Sequence, residues 1–234
     1  MTSARLASPQ PPGRHHPAAT PDTHTMPSRT NPPLRHLLYL HGFRSSPQST
    51  KAQLTRAWFA QHHPQVQVLT PQLPPSPQAA AQLMLELTSH WPSGSLAVMG
   101  SSLGGYYASW FAVQRQCPAV LLNPAVEPAR DLAAYIGQVA QWHQPEESFD
   151  FRPEYIDELR ALDTRHVRPP PPTLVLMAKG DEVLDWREMQ ARHPDAQHIV
   201  LEGGDHALSQ HFTPQLPVLA QFLLYLGQAP ASAG

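Results

Sequence analysis

The sequence predicts an α/β fold, a three-layer sandwich in which helices cover both faces of a mostly parallel β-sheet. Six short apolar runs recur along the chain, and most of them are followed by a segment whose apolar residues have helical spacing. The runs are apolar throughout rather than alternating with polar residues, which is typical of strands buried on both faces of a parallel sheet. We therefore expect one sheet of parallel strands joined by helical crossovers.

The predicted strands cover residues 36–40, 66–69, 95–99, 119–122, 173–177 and 198–201. The predicted helices cover residues 51–62, 77–91, the segment directly after residue 102, and residues 214–226. Each of these helices has apolar residues spaced three or four positions apart, so that one face can pack on the sheet. Right-handed crossovers place the carboxyl ends of the strands along one edge, where the sites of open parallel sheets form.

The length of 234 residues fits one domain with a continuous core. Residues 1–33 are rich in Pro, Ser, Thr, His and Ala and poor in large apolar residues, so we expect a disordered, Pro-rich tail. Residues 34–227 then form the folded domain. Within it, residues 127–168 lack a clear strand, and we interpret them as a helical, cap-like excursion over the sheet edge.

Composition argues against several classes of protein. The formal net charge of -2 and the lack of a long basic run argue against nucleic-acid binding. No run of about 18 uninterrupted apolar residues occurs, so we expect no membrane span. The single cysteine, Cys117, cannot form an internal disulfide, which favours a cytoplasmic protein. We expect no metal or other cofactor, because neither a metal-ligand spacing nor a three-glycine dinucleotide fingerprint is present.

The segment from Gly100 to Gly104 fits the pattern G-x-S-x-G, directly after a predicted strand and directly before a predicted helix. A strand that turns at once into a helix forces its central residue into a strained conformation, and the flanking glycines let the backbones pass closely. The central hydroxyl then projects above the sheet edge. Ser102 is therefore the predicted nucleophile, whereas Ser101 lacks glycines at both of the required positions. The alternative is a tight glycine turn with an idle serine.

A serine hydroxyl needs a base, and histidine suits this role because its ordinary pKa lies near neutrality. The chain has 14 histidines, so position must decide among them. His206 follows the last predicted strand in a glycine-containing loop that can curl back over the nucleophile. It is the predicted base, and His193, His198 and His211 are the weaker alternatives.

The third member of such a triad is a carboxylate that orients the imidazole, and it should lie in the loop after the preceding strand. Asp181 is the favoured candidate, and Val183 is expected to anchor its loop in the core. Asp185 is the second candidate, although its place before Trp186 also fits the N-cap of a helix. Glu182 is expected to face water.

Acyl transfer also requires hydrogen-bond donors aimed at the developing oxyanion. The backbone amide of Leu103 should be one donor, and the amide of Phe43, in the loop after the first strand, should be the other. We interpret His41 as a brace for that loop rather than as a catalyst. Phe43, Tyr106 and Tyr107 suggest an apolar acyl pocket nearby, although Tyr107 and Trp110 fit core positions equally well.

Together these motifs resemble those of the YqiA-like esterases, a bacterial branch of small α/β-hydrolases. The matching segments are Leu38-Tyr-Leu-His-Gly-Phe43, Ser45-Ser-Pro47, Pro71-Gln-Leu-Pro-Pro75, Gly100-Ser-Ser-Leu-Gly-Gly-Tyr-Tyr107, Asn123-Pro-Ala125, Gly180-Asp-Glu-Val-Leu-Asp185 and Glu202-Gly-Gly-Asp-His-Ala207. The resemblance implies the α/β-hydrolase fold and esterase activity on short acyl esters or acyl thioesters, with Ser102, Asp181 and His206 as the triad. The tail before residue 34 and the excursion at 127–168 depart from the family's pattern, so they leave substrate size and cap behaviour open.

Three functions remain as hypotheses at this point. The first is a serine esterase that hydrolyses carboxylic esters or acyl thioesters of small molecules through an acyl-enzyme. The second is a hydrolase that uses the same triad on a C–C or peptide bond. The third is a non-catalytic binding module that retains the fold.

Overall fold

The computed structural model describes residues 33–140 and 148–226. Nearly all of the predicted disordered tail at 1–33 therefore lies outside the described residues. None of the helices within these two ranges has the length and hydropathy that crossing a bilayer requires.

The eight strands and seven helices of the described ranges follow one another as an α/β chain, with one 3₁₀ turn at Ala133–Tyr135. The strands are β1 His36–Leu40, β2 Gln67–Leu69, β3 Leu96–Ser101, β4 Ala119–Leu122, β5 Gly137–Ala140, β6 Ser148–Phe151, β7 Thr173–Ala178 and β8 Gln197–Leu201. The helices are α1 Thr50–His62, α2 Pro77–Leu87, α3 Leu103–Arg115, α4 Pro128–Asp131, α5 Glu154–Ala161, α6 Trp186–Arg192 and α7 Phe212–Leu226. All six predicted strands are present, with small shifts at their ends.

Six of the strands form one sheet in the order β2-β1-β3-β4-β7-β8, and every neighbouring pair is parallel. All six residues of the central strand β3 are buried, whereas the edge strands β2 and β8 are only partly buried. This gradient is what a parallel sheet covered by helices on both faces requires. The predicted fold class, a mostly parallel α/β sandwich, is confirmed.

Two apolar layers flank the sheet, and successive residues of each strand alternate between them. In β1, Leu38 and Leu40 pack in the layer that contains α2 and α3. Leu37 and Tyr39 pack in the opposite layer, with residues of α1 and α7. Each large side chain that is fully buried in these layers stabilises the fold by roughly 1.5–3 kcal/mol.

The predicted helix at 77–91 is shorter in the structure, because α2 ends at Leu87. The guanidinium of Arg115 donates to the carbonyl oxygens of Thr88 at 2.8 Å and of Trp91 at 2.9 Å. These bonds satisfy carbonyl groups that a continuing helix would otherwise use, so the chain can turn there without leaving buried acceptors unpaired.

The excursion at 127–168 is not simply helical, which differs from the prediction. It contains the short helices α4 and α5, and also β5 and β6, which pair as an antiparallel ribbon. Each of these two strands buries one apolar residue, Val139 or Phe151, between polar or exposed neighbours. Strands of four residues are too short to establish an alternating pattern, which explains why they were not predicted.

Candidate active site

Ser102 lies at the turn between β3 and α3 with φ 56° and ψ −123°, a conformation that is strained for a residue with a side chain. The two flanking glycines are required by close backbone contacts. A Cβ atom on Gly100 would lie 2.0 Å from the carbonyl oxygen of Gly104, and one on Gly104 would lie 2.1 Å from that of Leu40. The glycines therefore allow α3 to begin directly against the ends of β1 and β3.

The strained backbone at Ser102 is held from both sides of the turn. Its amide donates to the carbonyl oxygen of Leu122 at 3.0 Å, and its own carbonyl accepts from the amides of Gly105 at 2.8 Å and Ala125 at 3.0 Å. Its side chain lies beside Gly42, where a Cβ atom on that glycine would approach the Ser102 Cβ to 3.1 Å. The hydroxyl is thus held above the carboxyl edge of the sheet, beside the loop that follows β1.

The structure pairs His206 with Asp181. The imidazole Nδ1 donates to Asp181 Oδ2 at 2.8 Å, and the Asp181 side chain is fully buried whereas that of His206 is 20% exposed. The other carboxylate oxygen of Asp181 accepts from the amides of Val183 and Leu184 at 2.8 and 2.9 Å. These three bonds fix the carboxylate, which in turn fixes the tautomer and direction of the imidazole.

The second candidate for the acid, Asp185, lies elsewhere. Its carboxylate accepts from the amide of Arg187 at 2.9 Å and caps the N-terminus of α6, the alternative role that its place before Trp186 indicates. The expected anchoring role of Val183 is wrong, because Val183 is 61% exposed. The carboxylate of Asp181 anchors the loop instead. Glu182 is exposed, yet it also accepts from the amide of His206 at 2.9 Å and so braces the histidine loop.

Ser102 and His206 line the same cavity, which has a volume of about 530 Å³. Within the described residues the Ser102 hydroxyl forms no hydrogen bond to the imidazole. Such contacts are often long in ligand-free hydrolases and tighten when substrate binds. Of the rival histidines, His193, His198 and His211 do not line this cavity. Burial and the neighbouring charge of Arg192 lower the pKa of His193 to about 3.

The amides of Phe43 and Leu103 are both unpaired within the described part of the chain. Both residues line a second cavity of about 560 Å³, together with Tyr107 and Phe149. The segment at 41–45 contributes residues to both cavities and so lies between them. Both residues lie next to the Ser102 turn, and their role as oxyanion donors stays a prediction.

His41 braces this segment, as expected. It is 5% exposed, its Nδ1 bonds the carbonyl oxygen of Gly42 at 2.9 Å, and its Nε2 accepts from the amide of Leu73 at 3.1 Å. Tyr106 donates its hydroxyl to the Leu159 carbonyl at 2.7 Å. That bond joins α3 to α5 of the excursion.

The sequence analysis missed the role of Asn123, which it named only within one of the segments that resemble the YqiA-like esterases. This residue is fully buried and its amide nitrogen donates to the carbonyl oxygens of Asp205 and His206, each at 3.2 Å. Its amide oxygen accepts from the amide of Ala178 at 2.9 Å. Asn123 thus ties the histidine loop to the end of β7. The signal that could have found it was a polar residue directly after an apolar strand at the carboxyl edge of the sheet.

Lys51 is the other residue whose place near the site was not predicted. It lies in the first turn of α1, and its ammonium donates to the carbonyl oxygen of Ala207, beside His206, at 2.6 Å. No group of three or more His, Cys, Asp or Glu side chains gathers at a metal-binding spacing anywhere in residues 33–140 and 148–226.

A nucleophile turn after the third strand of a parallel sheet, with an acid–histidine pair on the last two strand loops, defines the α/β-hydrolase fold. Within that class, the chain belongs to the family described as Uncharacterised protein family (UPF0227), whose model matches residues 36–224, and this is the YqiA-like family.

Solved structures support the same fold. Est1E from Butyrivibrio proteoclasticus matches with a TM-score of 0.65 at 14% identity, covering 84% of this chain and 92% of that chain. Alpha/beta hydrolase domain-containing protein 10 from mouse matches with a TM-score of 0.65 at 14% identity, covering 82% and 90%. The esterase domain of a Rhodothermus marinus protein matches with a TM-score of 0.59 at 19% identity, covering 82% and 87%. At these identities the likeness shows the fold.

Proposed function

We propose that this protein is a serine hydrolase that cleaves small carboxylic esters or acyl thioesters through an acyl-enzyme. One observation carries the proposal: the hydrogen-bonded Asp181–His206 pair opens into the same cavity as Ser102, which is held at a strained turn. A strained serine beside a histidine whose tautomer is fixed by a buried carboxylate is the arrangement that nucleophilic catalysis needs.

In the proposed reaction the Ser102 oxygen attacks the carbonyl carbon of the substrate while Nε2 of His206 takes the hydroxyl proton. The electron pair of the C=O bond moves to the carbonyl oxygen, which the amides of Phe43 and Leu103 hold. When this intermediate collapses, the bond to the alcohol or thiol breaks and the imidazolium gives that group its proton. A water molecule, activated by the same histidine, then cleaves the acyl-serine and releases the acid. Asp181 orients the imidazole both when the acyl-enzyme forms and when water cleaves it.

The wall chemistry of the second cavity supports an acyl group as its occupant. Its apolar lining includes Phe43, Leu73 and Phe149, and its polar lining includes Arg44, Gln48 and Gln72. The apolar part of this wall can pack against the chain of an acyl group. The resemblance to esterases of short acyl chains is consistent with this assignment.

A fluorophosphonate probe and a short-chain ester test the proposal directly. We expect the wild-type protein to be labelled at Ser102 and to hydrolyse the ester. Ser102→Ala should abolish labelling and lower turnover by about 10³-fold or more. Ser101→Ala is the matched control, because it removes the adjacent hydroxyl, and it should retain both properties.

The remaining outcomes separate the other hypotheses. Labelling at Ser102 without turnover of any ester or thioester would indicate that the triad acts on another bond, and a peptide and C–C substrate panel would then follow. A folded wild-type protein that the probe does not label would favour a non-catalytic binding module and would contradict the proposal.

A further inference from the structure

Lys51 presents a partly buried positive charge at the wall of the cavity that contains Ser102 and His206. Its ammonium makes one hydrogen bond, to the carbonyl oxygen of Ala207 at 2.6 Å. Among the described residues, no carboxylate lies within ion-pair distance of its nitrogen. An ammonium has three donors, so this group retains unused hydrogen-bonding capacity at the cavity wall.

The surroundings of Lys51 do not neutralise this charge. Burial lowers its pKa to about 8, an effect that the more distant charges of Asp205 and Asp181 oppose only in part. Both carboxylates have partners of their own. Asp181 is bonded to His206, and Asp205 accepts from the amide and the hydroxyl of Ser209 at 2.7 and 2.6 Å. A charge that is withdrawn from water without a close counter-ion is costly, and such groups are concentrated at functional sites.

Two further polar groups at the same cavity wall are buried and have no hydrogen-bond partner among residues 33–140 and 148–226. They are the hydroxyl of Tyr39, a residue that is 1% exposed, and the hydroxyl of Ser49. Ser49 occupies the N-cap position of α1, yet its side chain caps none of the helix amides. Buried hydroxyl groups are normally hydrogen-bonded, so these two are available to bond a group that enters the cavity.

The N-terminus of α1 faces this cavity as well. Ser49, Thr50 and Lys51 form part of its wall, and α1 is 13 residues long. The first amides of a helix carry a partial positive charge that favours anions. The ammonium, the helix terminus and the unpaired hydroxyl groups can all donate hydrogen bonds to one acceptor of negative charge.

The chemistry of the proposed reaction decides which part of a substrate would meet these donors. The imidazolium of His206 must deliver its proton to the departing alcohol or thiol, so that part of the substrate lies on the histidine side. Of the oxyanion donors, Phe43 borders both cavities, whereas Leu103 lines only the other cavity, as Tyr107 and Phe149 do. The cavity with Lys51 is therefore the leaving-group cavity.

We propose that the leaving-group cavity binds an anionic group, a carboxylate or a phosphate, carried by the alcohol or thiol part of the substrate. Lys51, the first turn of α1 and the hydroxyl groups of Tyr39 and Ser49 are the donors. This inference rests on the proposed hydrolase function and narrows its substrate class. It concerns binding and leaves the covalent steps unchanged.

Three butyrate esters of similar shape test this selectivity. They are 4-(butyryloxy)benzoate, its neutral methyl ester, and 4-(butyryloxy)phenyl phosphate. For each enzyme we compare kcat/KM for the anionic esters with kcat/KM for the neutral one. In Lys51→Met we expect this ratio to fall by about 10- to 100-fold, the usual effect of losing a hydrogen bond to a charged group. Whichever anionic ester shows the larger drop identifies carboxylate or phosphate as the preferred group.

Comparing ratios separates recognition from a structural role. Lys51 also bonds Ala207 beside His206, so its loss will slow all three esters, but a purely structural role would slow them equally. The control is Lys179→Met, since Lys179 is the only other lysine of the chain, does not line the cavity and pairs with Glu202 at 2.7 Å. Its ratio should match that of the wild type.

An equal ratio in wild type and Lys51→Met would overturn the inference. If the fluorophosphonate probe still labels Ser102 and the wild type hydrolyses the neutral ester, the proposed hydrolase function survives that result. If the folded wild type is neither labelled nor active on any of the three esters, the proposed function fails and this inference fails with it.

Discussion

Two cavities of similar volume, about 530 and about 560 Å³, lie on either side of the 41–45 segment and differ in their wall chemistry. The first contains Ser102, His206 and Lys51, with polar groups from β1, α1 and the histidine loop. The second contains Leu103, Tyr107 and Phe149 together with the polar side chains of Arg44, Gln48 and Gln72, and Phe43 borders both cavities. Because one segment borders both cavities, a substrate whose ester bond lies at Ser102 can extend into each of them.

The two cavities also differ in which part of the chain builds them. The excursion at 127–168 contributes Phe149 to the aromatic cavity, and no described residue of 127–168 lines the Lys51 cavity. Phe43 holds the excursion in place through edge-to-face contacts with Phe149 and Phe151, at ring distances of 5.8 and 5.3 Å. The Nε of Arg44 donates to the carbonyl oxygen of Ala140 at 2.6 Å. Variation in this excursion should therefore change acyl selectivity and leave the recognition of the leaving group intact.

The largest effect on activity is expected from replacing Asp181, the carboxylate that bonds His206. Asp181→Asn should lower kcat by about 10³- to 10⁴-fold, because an amide favours the wrong imidazole tautomer and cannot stabilise the imidazolium. Asp185→Asn is the matched control. Asparagine is an equally good N-cap, so α6 should keep its start and activity should change little. Steady-state kinetics on one short-chain ester measure both variants, and a larger loss in Asp185→Asn would reassign the acid.

An intermediate effect, on the selectivity for acyl chain length, is expected from replacing Phe149 in the aromatic cavity. Phe149→Ala enlarges the aromatic cavity, so the chain-length optimum in a series of acyl esters should move to longer chains. The preference for a long over a short chain should rise by about tenfold, the scale of a few methylene groups in an apolar pocket.

The same variant should leave the ratio between anionic and neutral leaving groups unchanged, whereas Lys51→Met should leave the acyl optimum unchanged. If either variant alters both selectivities together, the separation into two cavities is wrong.

The fold was predictable because its central strands are buried on both faces and so are apolar throughout. The ribbon of β5 and β6 was not, because its strands are only four residues long and each buries one apolar residue. In the site, the chain order of motifs identified Ser102 and His206 as candidates, since each follows a strand at the carboxyl edge. The choice between Asp181 and Asp185 needed the structure, because both lie in one loop.

The contacts of Lys51 and Asn123 were not predictable for a different reason. Lys51 and Ala207 are 156 positions apart, and Asn123 and His206 are 83 positions apart. Neither residue belongs to a motif whose spacing predicts its role. Their roles follow from the meeting of separate loops at the sheet edge, which only the folded chain shows.

The smallest effect concerns pH. Burial lowers the pKa of Lys51 from its ordinary value to about 8, so the ammonium is present below that pH and is lost as the pH rises through it. The preference for an anionic leaving group should accordingly be full near neutrality and decline by about fivefold between roughly pH 7 and 9. Lys51→Arg should keep the preference over the same range, because a guanidinium remains charged.

The other charged groups around Lys51 decide how this pH profile is measured. Asp181, Glu182, Asp205 and His206 face it from the loops after β7 and β8, and His206 takes part in the proposed reaction itself. Any effect of pH on the chemical step acts on the anionic and the neutral ester alike, so the ratio of their kcat/KM values removes it. A ratio that stays flat in the wild type from neutral to alkaline pH would mean that the charge of Lys51 does not select the leaving group, and the two cavities would then differ in shape alone.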